Sequence, residues 1–156
     1  MNALIIGSCG VGKTWVMKEL MKHHTLWPGK IGKFKFHYND YLCFIGVYDG
    51  STFEGSDRLS MSVVTDLDKF LAWSRGKTVI CEGDRFTNST FITKANPTIF
   101  KIQGTGEKGR KIRGSKQTER HIKAIATRVS NIKEDVIAAS SEDAYQLIKT
   151  FIEDDK

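Results

Sequence analysis

Residues 7–14 are the part of the sequence whose types and spacing most clearly suggest chemistry. They read Gly-Ser-Cys-Gly-Val-Gly-Lys-Thr, the pattern Gly-x-x-x-x-Gly-Lys-Thr. Glycines let backbone N–H groups turn toward one centre and bind phosphate oxygens. Lys13 would neutralise β- and γ-phosphates, and the Thr14 hydroxyl would bind Mg²⁺. We therefore predict that ATP binds to this glycine loop, which consists of Gly7, Ser8, Cys9, Gly10, Val11, Gly12, Lys13 and Thr14.

The elements on either side of the glycine loop fit this interpretation. Residues 3–6 form a continuous apolar run, which predicts a strand buried on both faces. Residues 13–23 carry apolar side chains at helical spacing and predict a helix. The positive end of that helix would add to the attraction for phosphate. Strand, loop and helix in this order argue against a chance glycine-rich turn.

Along the rest of the chain, apolar runs alternate with helical stretches, which is typical of an α/β fold with a mostly parallel sheet. Strands are predicted over residues 33–38 and 41–48, as a β-hairpin, and over 78–81, 98–102 and 136–139. Helices are predicted over 60–74, 88–95 and 118–132, and from Ser141 onward. We see no repeat or linker, so residues 1–156 are interpreted as one domain.

Glu82-Gly83-Asp84-Arg85-Phe86 follows a predicted buried strand. Ligands of open α/β sheets bind beyond the carboxyl ends of strands, so these side chains should face the phosphates. Glu82 or Asp84 would organise the metal or act as a base, with Asp84 the candidate ligand beside Thr14. Arg85 would hold the transferring phosphoryl group or a substrate phosphate. The alternative is a salt bridge at the strand end.

Residues 49–58 form a loop rich in glycine and small polar residues, which also follows a predicted strand. Asp49, Asp57 and Arg58 are the candidate contacts to an acceptor. The alternative is an ordinary connection with a helix-capping Asp-Arg pair.

Positive charge is concentrated in residues 101–133, which hold ten Lys/Arg and two Glu, a net of +8 in a chain of net charge +6. Within this basic segment, glycines and the cations Arg110 and Arg113 predict a lid over residues 104–118 that closes on ATP. The charge indicates a polyanionic ligand. The alternatives are a solvated basic face and a flexible surface loop.

Other patterns restrict the class of protein. No apolar stretch approaches the roughly 20 residues that span a bilayer, so we predict no membrane partner. The three cysteines form no metal or disulfide pattern, which favours reduced thiols in the cytoplasm. No Asn-Lys-x-Asp tetrapeptide occurs, which disfavours a regulatory GTPase. The tryptophans at 15, 27 and 73 are interpreted as packing residues in preference to base-stacking platforms.

Taken together, the motifs resemble the thymidylate kinase branch of the nucleoside monophosphate kinases, and more closely the short P-loop kinases of bacteriophages. The glycine loop is similar to the family's phosphate loop, and Asp84-Arg85-Phe86 resembles its Asp-Arg-aromatic motif. Arg110 and Arg113 resemble lid arginines. The resemblance implies a three-layer P-loop fold with a five-stranded parallel sheet of order 2-3-1-4-5. It also implies that Ala139 and Ser140 approach the adenine.

The chain departs from this family on the acceptor side. Members of the branch usually enclose the acceptor with a larger helical segment, where this sequence offers only a basic, aromatic hairpin. The resemblance favours a deoxynucleoside monophosphate kinase. The reduced cover leaves open a DNA kinase that phosphorylates 5-hydroxymethyluracil in DNA, as some phage relatives do. A non-transferring ATP-binding switch is the second alternative.

Overall fold

The computed structural model describes residues 1–51, 54–113 and 118–155. Within these residues the chain forms seven strands: β1 (Asn2–Ile6), β2 (Trp27–Ile31), β3 (Phe34–Tyr38), β4 (Leu42–Ile45), β5 (Thr78–Glu82), β6 (Thr98–Ile102) and β7 (Val136–Ala138). The same residues form six α-helices: α1 (Lys13–Met21), α2 (Leu67–Trp73), α3 (Ser89–Ala95), α4 (Glu107–Arg113), α5 (Glu119–Asn131) and α6 (Ser141–Asp154). Short 3-10 turns cover Ser56–Arg58, Val63–Asp66 and Asp84–Phe86.

The strands form one mixed sheet of order β2-β3-β4-β5-β1-β6-β7. Strands β4, β5, β1, β6 and β7 pair in parallel, while β2 and β3 add antiparallel to the outside of β4. The predicted α/β class is confirmed, and the prediction of a five-stranded sheet is only partly confirmed because the described sheet has seven strands. Strand β2 was not predicted, since Pro28 and Gly29 are turn residues by type, although proline is tolerated at a sheet edge.

Burial explains why the central strands read as unbroken apolar runs. Every residue of β4 and β5 is buried, because helices cover both faces of the sheet. On one face, α1 and α6 pack through Val16, Met17, Leu20, Ala144, Ile148 and Ile152. On the other face, α2, α3 and α5 pack through Leu67, Phe70, Phe91, Ile125 and Val129. In the described residues, no helix is long and apolar enough to cross a membrane.

Two predicted boundaries were wrong for local reasons. The helix predicted to start at residue 60 begins as a 3-10 turn at Val63 and becomes α-helical at Leu67. Ser60 and Ser62 form local hydrogen bonds that compete with a helical turn before Val63. Strand β4 ends at Ile45, before Gly46 at a φ of 130°. Helix α6 begins at Ser141 as predicted, and its N-cap is Ser140, whose hydroxyl oxygen accepts from the Asp143 N–H.

Candidate functional site

The glycine loop joins the carboxyl end of β1 to the start of α1. Gly10 and Gly12 have φ values of 87° and 102°, a region that residues with a side chain rarely adopt. Gly12 is the N-cap of α1. The Lys13 ammonium donates to the carbonyl oxygens of Gly7 at 2.9 Å and Ser8 at 3.0 Å, which holds its charge against the loop. The arrangement combines a helix N-terminus, left-handed glycines and a lysine, the components of an anion site.

Helix α4 lies directly against the glycine loop. A Cβ placed on Gly109 would collide with the Gly10 carbonyl oxygen, and one on Gly106 would collide with that of Cys9. The Arg110 guanidinium donates to the Cys9 carbonyl oxygen and to that of Thr105, each at 2.7 Å. Within the predicted lid, residues 107–113 are helical, and Arg110 anchors this helix to the glycine loop.

The remaining lid predictions fall on residues that the structure does not describe. Residues 114–117 lie outside the described ranges. Arg113 is the last residue of α4, and its side chain is also outside the described part of the chain.

A cavity of about 920 Å³ opens over the glycine loop at the carboxyl edge of the sheet. Its floor is the loop from Cys9 to Thr14. The other lining residues are Trp15, Lys18, Glu19, Lys22, Glu54, Asp57, Glu82, Gly83, Asp84, Arg85, Lys108, Gly109, Ile112, His121, Ile125, Ser141 and Glu142. The cavity is large enough for a nucleotide.

Glu82, the last residue of β5, is a buried carboxyl group that faces the glycine loop across this cavity. It is 4% exposed, and it accepts from the Tyr48 hydroxyl at 3.3 Å and the Ser56 N–H at 3.4 Å. Burial raises the pKa of Glu82, an effect that the positive charge of Lys13 partly offsets and the negative charge of Asp57 increases. A carboxyl group in this setting takes up a proton more readily than an exposed one.

Gly55 shows how close Glu82 comes to the loop. This glycine has a φ of 90°, and a Cβ there would collide with Glu82 Oε1 and lie 3.4 Å from the Thr14 hydroxyl oxygen. The Thr14 hydroxyl and the Glu82 carboxylate therefore border the same small space.

Asp84 is held differently from Glu82. Its two oxygens accept from Arg128 of α5, with Oδ1 2.9 Å from Nε and Oδ2 2.8 Å from Nη2. The Thr87 hydroxyl donates to Oδ1 at 3.1 Å. The alternative of a strand-end salt bridge thus describes this carboxylate, although Asp84 also lines the cavity. Arg85 lines the cavity as well, with its Nε donating to the Leu59 carbonyl oxygen at 3.4 Å.

The three predicted acceptor contacts are separated by the structure. Asp57 lines the cavity, whereas Asp49 and Arg58 do not and instead form an ion pair of 3.2 Å with each other. Hydrogen bonds from Ser51 and the nearby Arg58 charge lower the pKa of Asp49. Residues 52 and 53 of this loop lie outside the described ranges.

Ala139 and Ser140, the two residues predicted to approach adenine, form hydrogen bonds with the first turn of α6 in the structure. Ser140 caps this helix, and the Ala139 N–H donates to Asp143 Oδ2 at 2.9 Å. Neither lines the cavity, but the next residue, Ser141, does, and a Cβ on Gly12 would collide with its side chain at 2.7 Å. Of residues 139–141, Ser141 is therefore the one that contacts the glycine loop and borders the cavity.

Three site residues were missed from the sequence. Arg128 lies 44 positions from its partner Asp84, and no local pattern links them. Glu54 bridges to Lys18 of α1 at 2.8 Å over 36 positions. Trp15 was interpreted as a packing residue, yet it is 41% exposed and lines the cavity. Its position directly after Thr14 was the available signal.

The residues present fit a magnesium nucleotide better than a metal bound by protein alone. Among the described residues, no group of three or more His, Cys, Asp or Glu could hold a metal ion. A Mg²⁺ ion in a nucleotide site needs only one or two protein oxygens, since phosphates and waters supply the rest. The Thr14 hydroxyl, which lies on the cavity floor, is one such oxygen.

The sequence matches no protein-family model, and no curated protein is similar to it at a significant level. The site itself is therefore the basis for inferring a function.

Proposed function

We propose that this chain is an ATP- and Mg²⁺-dependent phosphotransferase that acts on a deoxynucleotide-type acceptor, in the first instance a deoxynucleoside monophosphate. One observation carries the proposal. A single cavity joins the glycine loop, with Lys13 and Thr14, to a buried carboxyl group and an arginine, Glu82 and Arg85, on the next strand end. Phosphoryl transfer asks mainly for positioning and charge stabilisation, and these residue types supply both.

On the donor side, the N–H groups of the glycine loop and the start of α1 would bind phosphate oxygens. Lys13 supplies positive charge at the mouth of the loop. The Thr14 hydroxyl would hold Mg²⁺, whose charge would screen the phosphates. Arg110 supports the loop from outside through the Cys9 carbonyl oxygen, so its proposed role is to position the loop.

Between the two carboxylates, Glu82 is the better candidate for the base. Its pKa is raised by burial, which brings it closer to the range in which a carboxylate accepts a proton efficiently. Both oxygens of Asp84 are engaged by Arg128, so binding Mg²⁺ would require Asp84 to release that arginine. The proposed role of Asp84 as a metal ligand therefore depends on this exchange.

On the acceptor side, Arg85 and Asp57 line the cavity and are the proposed contacts to the substrate. Asp49 and Arg58 would have to break their own ion pair to take part. The DNA kinase remains the second candidate, favoured by the exposed lysines and arginines of α4 and α5 (Lys108, Lys111, Arg120 and Lys123), of which Lys108 lines the cavity. Exposed cations of this kind suit a nucleic-acid backbone.

The test uses γ-labelled ATP and Mg²⁺ with two acceptor sets: free deoxynucleoside monophosphates, and DNA with and without 5-hydroxymethyluracil. Label in a nucleoside diphosphate supports the first proposal and identifies the base. Label in DNA replaces it with the second. ATP binding with no labelled acceptor in either set contradicts both and leaves the ATP-binding switch.

A further inference from the structure

One wall of the cavity continues past the glycine loop along the outer face of α1. Trp15, Glu19 and Lys22 are spaced four and three residues apart, so they form one stripe on the helix, and all three line the cavity. Lys22 and Glu19 form an ion pair. This α1 stripe starts with the residue that follows Thr14.

Trp15 packs against an aromatic ring of α6. The Trp15 and Tyr145 rings meet edge to face, with centroids 6.2 Å apart and planes at 64°. The Tyr145 hydroxyl lies 2.9 Å from His23 Nε2, which fixes the supporting ring between α6 and the end of α1. The indole is therefore held in place while 41% of its surface stays exposed beside the cavity.

The other tryptophans show that this placement is specific. Trp73 packs against the core, with its ring centroid 4.5 Å from that of Phe36. Trp27 is 53% exposed but lies on β2 and does not line the cavity. Among the tryptophans, all of which the structure describes, only Trp15 combines exposure with the cavity wall.

The position of Trp15 relative to the glycine loop indicates which part of a bound nucleotide it would contact. If phosphates bind at the N-terminus of α1, the sugar and base of the same nucleotide must lie farther along the cavity. The α1 stripe is the wall that begins immediately beyond Thr14. An exposed, braced aromatic ring in a cavity that is also lined by lysine is the combination on which bases stack in nucleic-acid-binding proteins.

We propose that the Trp15 indole is the platform on which the base of the bound nucleoside triphosphate stacks, with Glu19 and Lys22 beside the polar edge of that base. The inference rests on the proposed function, because it requires the phosphates to bind in the glycine loop. Stacking tolerates any base, so ATP and GTP should bind with affinities that differ less than the affinities of ATP and inorganic tripolyphosphate.

The experiment measures the dissociation constants of Mg-ATP and Mg-tripolyphosphate by calorimetry. The proteins compared are the unaltered chain, Trp15→Leu, Trp15→Phe and the control Trp27→Leu. Trp15→Leu should weaken ATP binding by about 5- to 100-fold, the range of base-aromatic stacking, and leave tripolyphosphate within about twofold. Trp15→Phe should restore most of the ATP affinity, and Trp27→Leu should change neither ligand.

Equal losses for ATP and tripolyphosphate, or no loss for ATP, would overturn the role of Trp15. Failure of the unaltered chain to bind either ligand would instead overturn the proposed function, and with it this inference. A second readout covers the case that Trp15→Leu does not fold. ATP, but not tripolyphosphate, should change the tryptophan emission of the unaltered chain, and this response should vanish in Trp15→Phe.

Discussion

The two sides of the cavity are built in different ways. On the side of the glycine loop, backbone atoms pack directly against backbone atoms. An example is Gly109 of α4, which lies against the Gly10 carbonyl group. On the opposite side, charged side chains hold the loops: Glu54 with Lys18, Asp49 with Arg58, and Asp84 with Arg128. The first side depends on glycines at fixed positions, and the second on pairs 36, 9 and 44 residues apart.

This difference determines where substitutions should have large effects. Backbone contacts allow no adjustment, whereas an exposed ion pair is screened by water and contributes about 1 kcal/mol or less. Chemistry should therefore depend on the glycine-loop side and on the buried Glu82, while the ion pairs opposite should tune it.

The largest effect is expected for Lys13→Ala. Removing the charge at the loop mouth should lower phosphoryl transfer by at least about 10³-fold, since transferred charge would no longer be stabilised. Lys30→Ala, on the hairpin strand β2, is the matched control and should keep full activity. Turnover is measured with γ-labelled ATP, and transfer retained in Lys13→Ala would remove the glycine loop from the mechanism.

Glu82→Gln should lower turnover by about 10²–10⁴-fold, the usual contribution of general-base catalysis. The pKa of Glu82 is raised by burial, so the folded protein holds this proton more tightly than the unfolded chain. The stabilisation that comes from this tighter proton binding is complete below about pH 4.5, the ordinary pKa of a glutamate. It is lost as the pH rises through the raised pKa of Glu82 in the folded protein. Urea titrations from pH 4 upward should show this loss in the unaltered protein but not in Glu82→Gln.

The result for Glu82 is compared with Asp84→Asn at the same pH values. A larger loss of turnover in Asp84→Asn than in Glu82→Gln would reverse the roles proposed for the two carboxylates.

Gly109→Ala tests the contact between α4 and the glycine loop. Helix propensity alone predicts a gain of about 0.5–1 kcal/mol in the free energy of unfolding. The collision with the Gly10 carbonyl predicts a loss of about 1–3 kcal/mol and weaker ATP binding. Denaturant unfolding gives the sign directly. Lys111→Ala, exposed on the same helix, is the control, and a stabilised Gly109→Ala would show that α4 does not need this close approach.

The smallest effect is expected for the Asp84–Arg128 ion pair. A double-mutant cycle with Asp84→Asn and Arg128→Gln should give a coupling of about 0.5–1 kcal/mol in the free energy of unfolding. The exposed pair Asp68–Lys94, 3.0 Å apart, is the reference. A coupling near zero in both pairs would mean that Arg128 does not hold Asp84 in place. Asp84 could then bind a metal without cost, and the argument that Arg128 occupies it while Glu82 is available would be weakened.

The glycine-loop side of the cavity could be predicted from the sequence, whereas the ion pairs on the opposite side could not. The glycine loop was predicted because a left-handed backbone and close contact between backbone segments require glycine at fixed positions, and these positions can be read from a short stretch of sequence. The strand before it and the helix after it were predicted from their apolar patterns. The strand β6 was predicted with its bounds, Thr98–Ile102, because a buried strand reads as a short apolar run. The partner of Asp84 was not predictable, because a cation on a solvent-facing helix turn such as Arg128 looks like any other surface residue.

The acceptor-facing predictions illustrate the limit. Asp49, Asp57 and Arg58 share one loop and one charge pattern, yet only Asp57 reaches the cavity. Which way each side chain points depends on the turn at Gly55 and its antiparallel bridge to Val47, a contact that composition does not reveal. Trp15 was misinterpreted for a similar reason, since a tryptophan on a helix is more often buried than exposed beside a cavity.

The outer strands of the sheet bear on how the protein behaves at high concentration. Unpaired N–H and C=O groups along a sheet edge can recruit a strand from another molecule and start aggregation. Here one edge, β2, contains Pro28, which lacks an N–H group, and the exposed cation Lys30. The other edge, β7, has only three residues. Both edges of the described sheet are poor templates for recruiting another chain, so concentrated samples should resist strand-mediated aggregation.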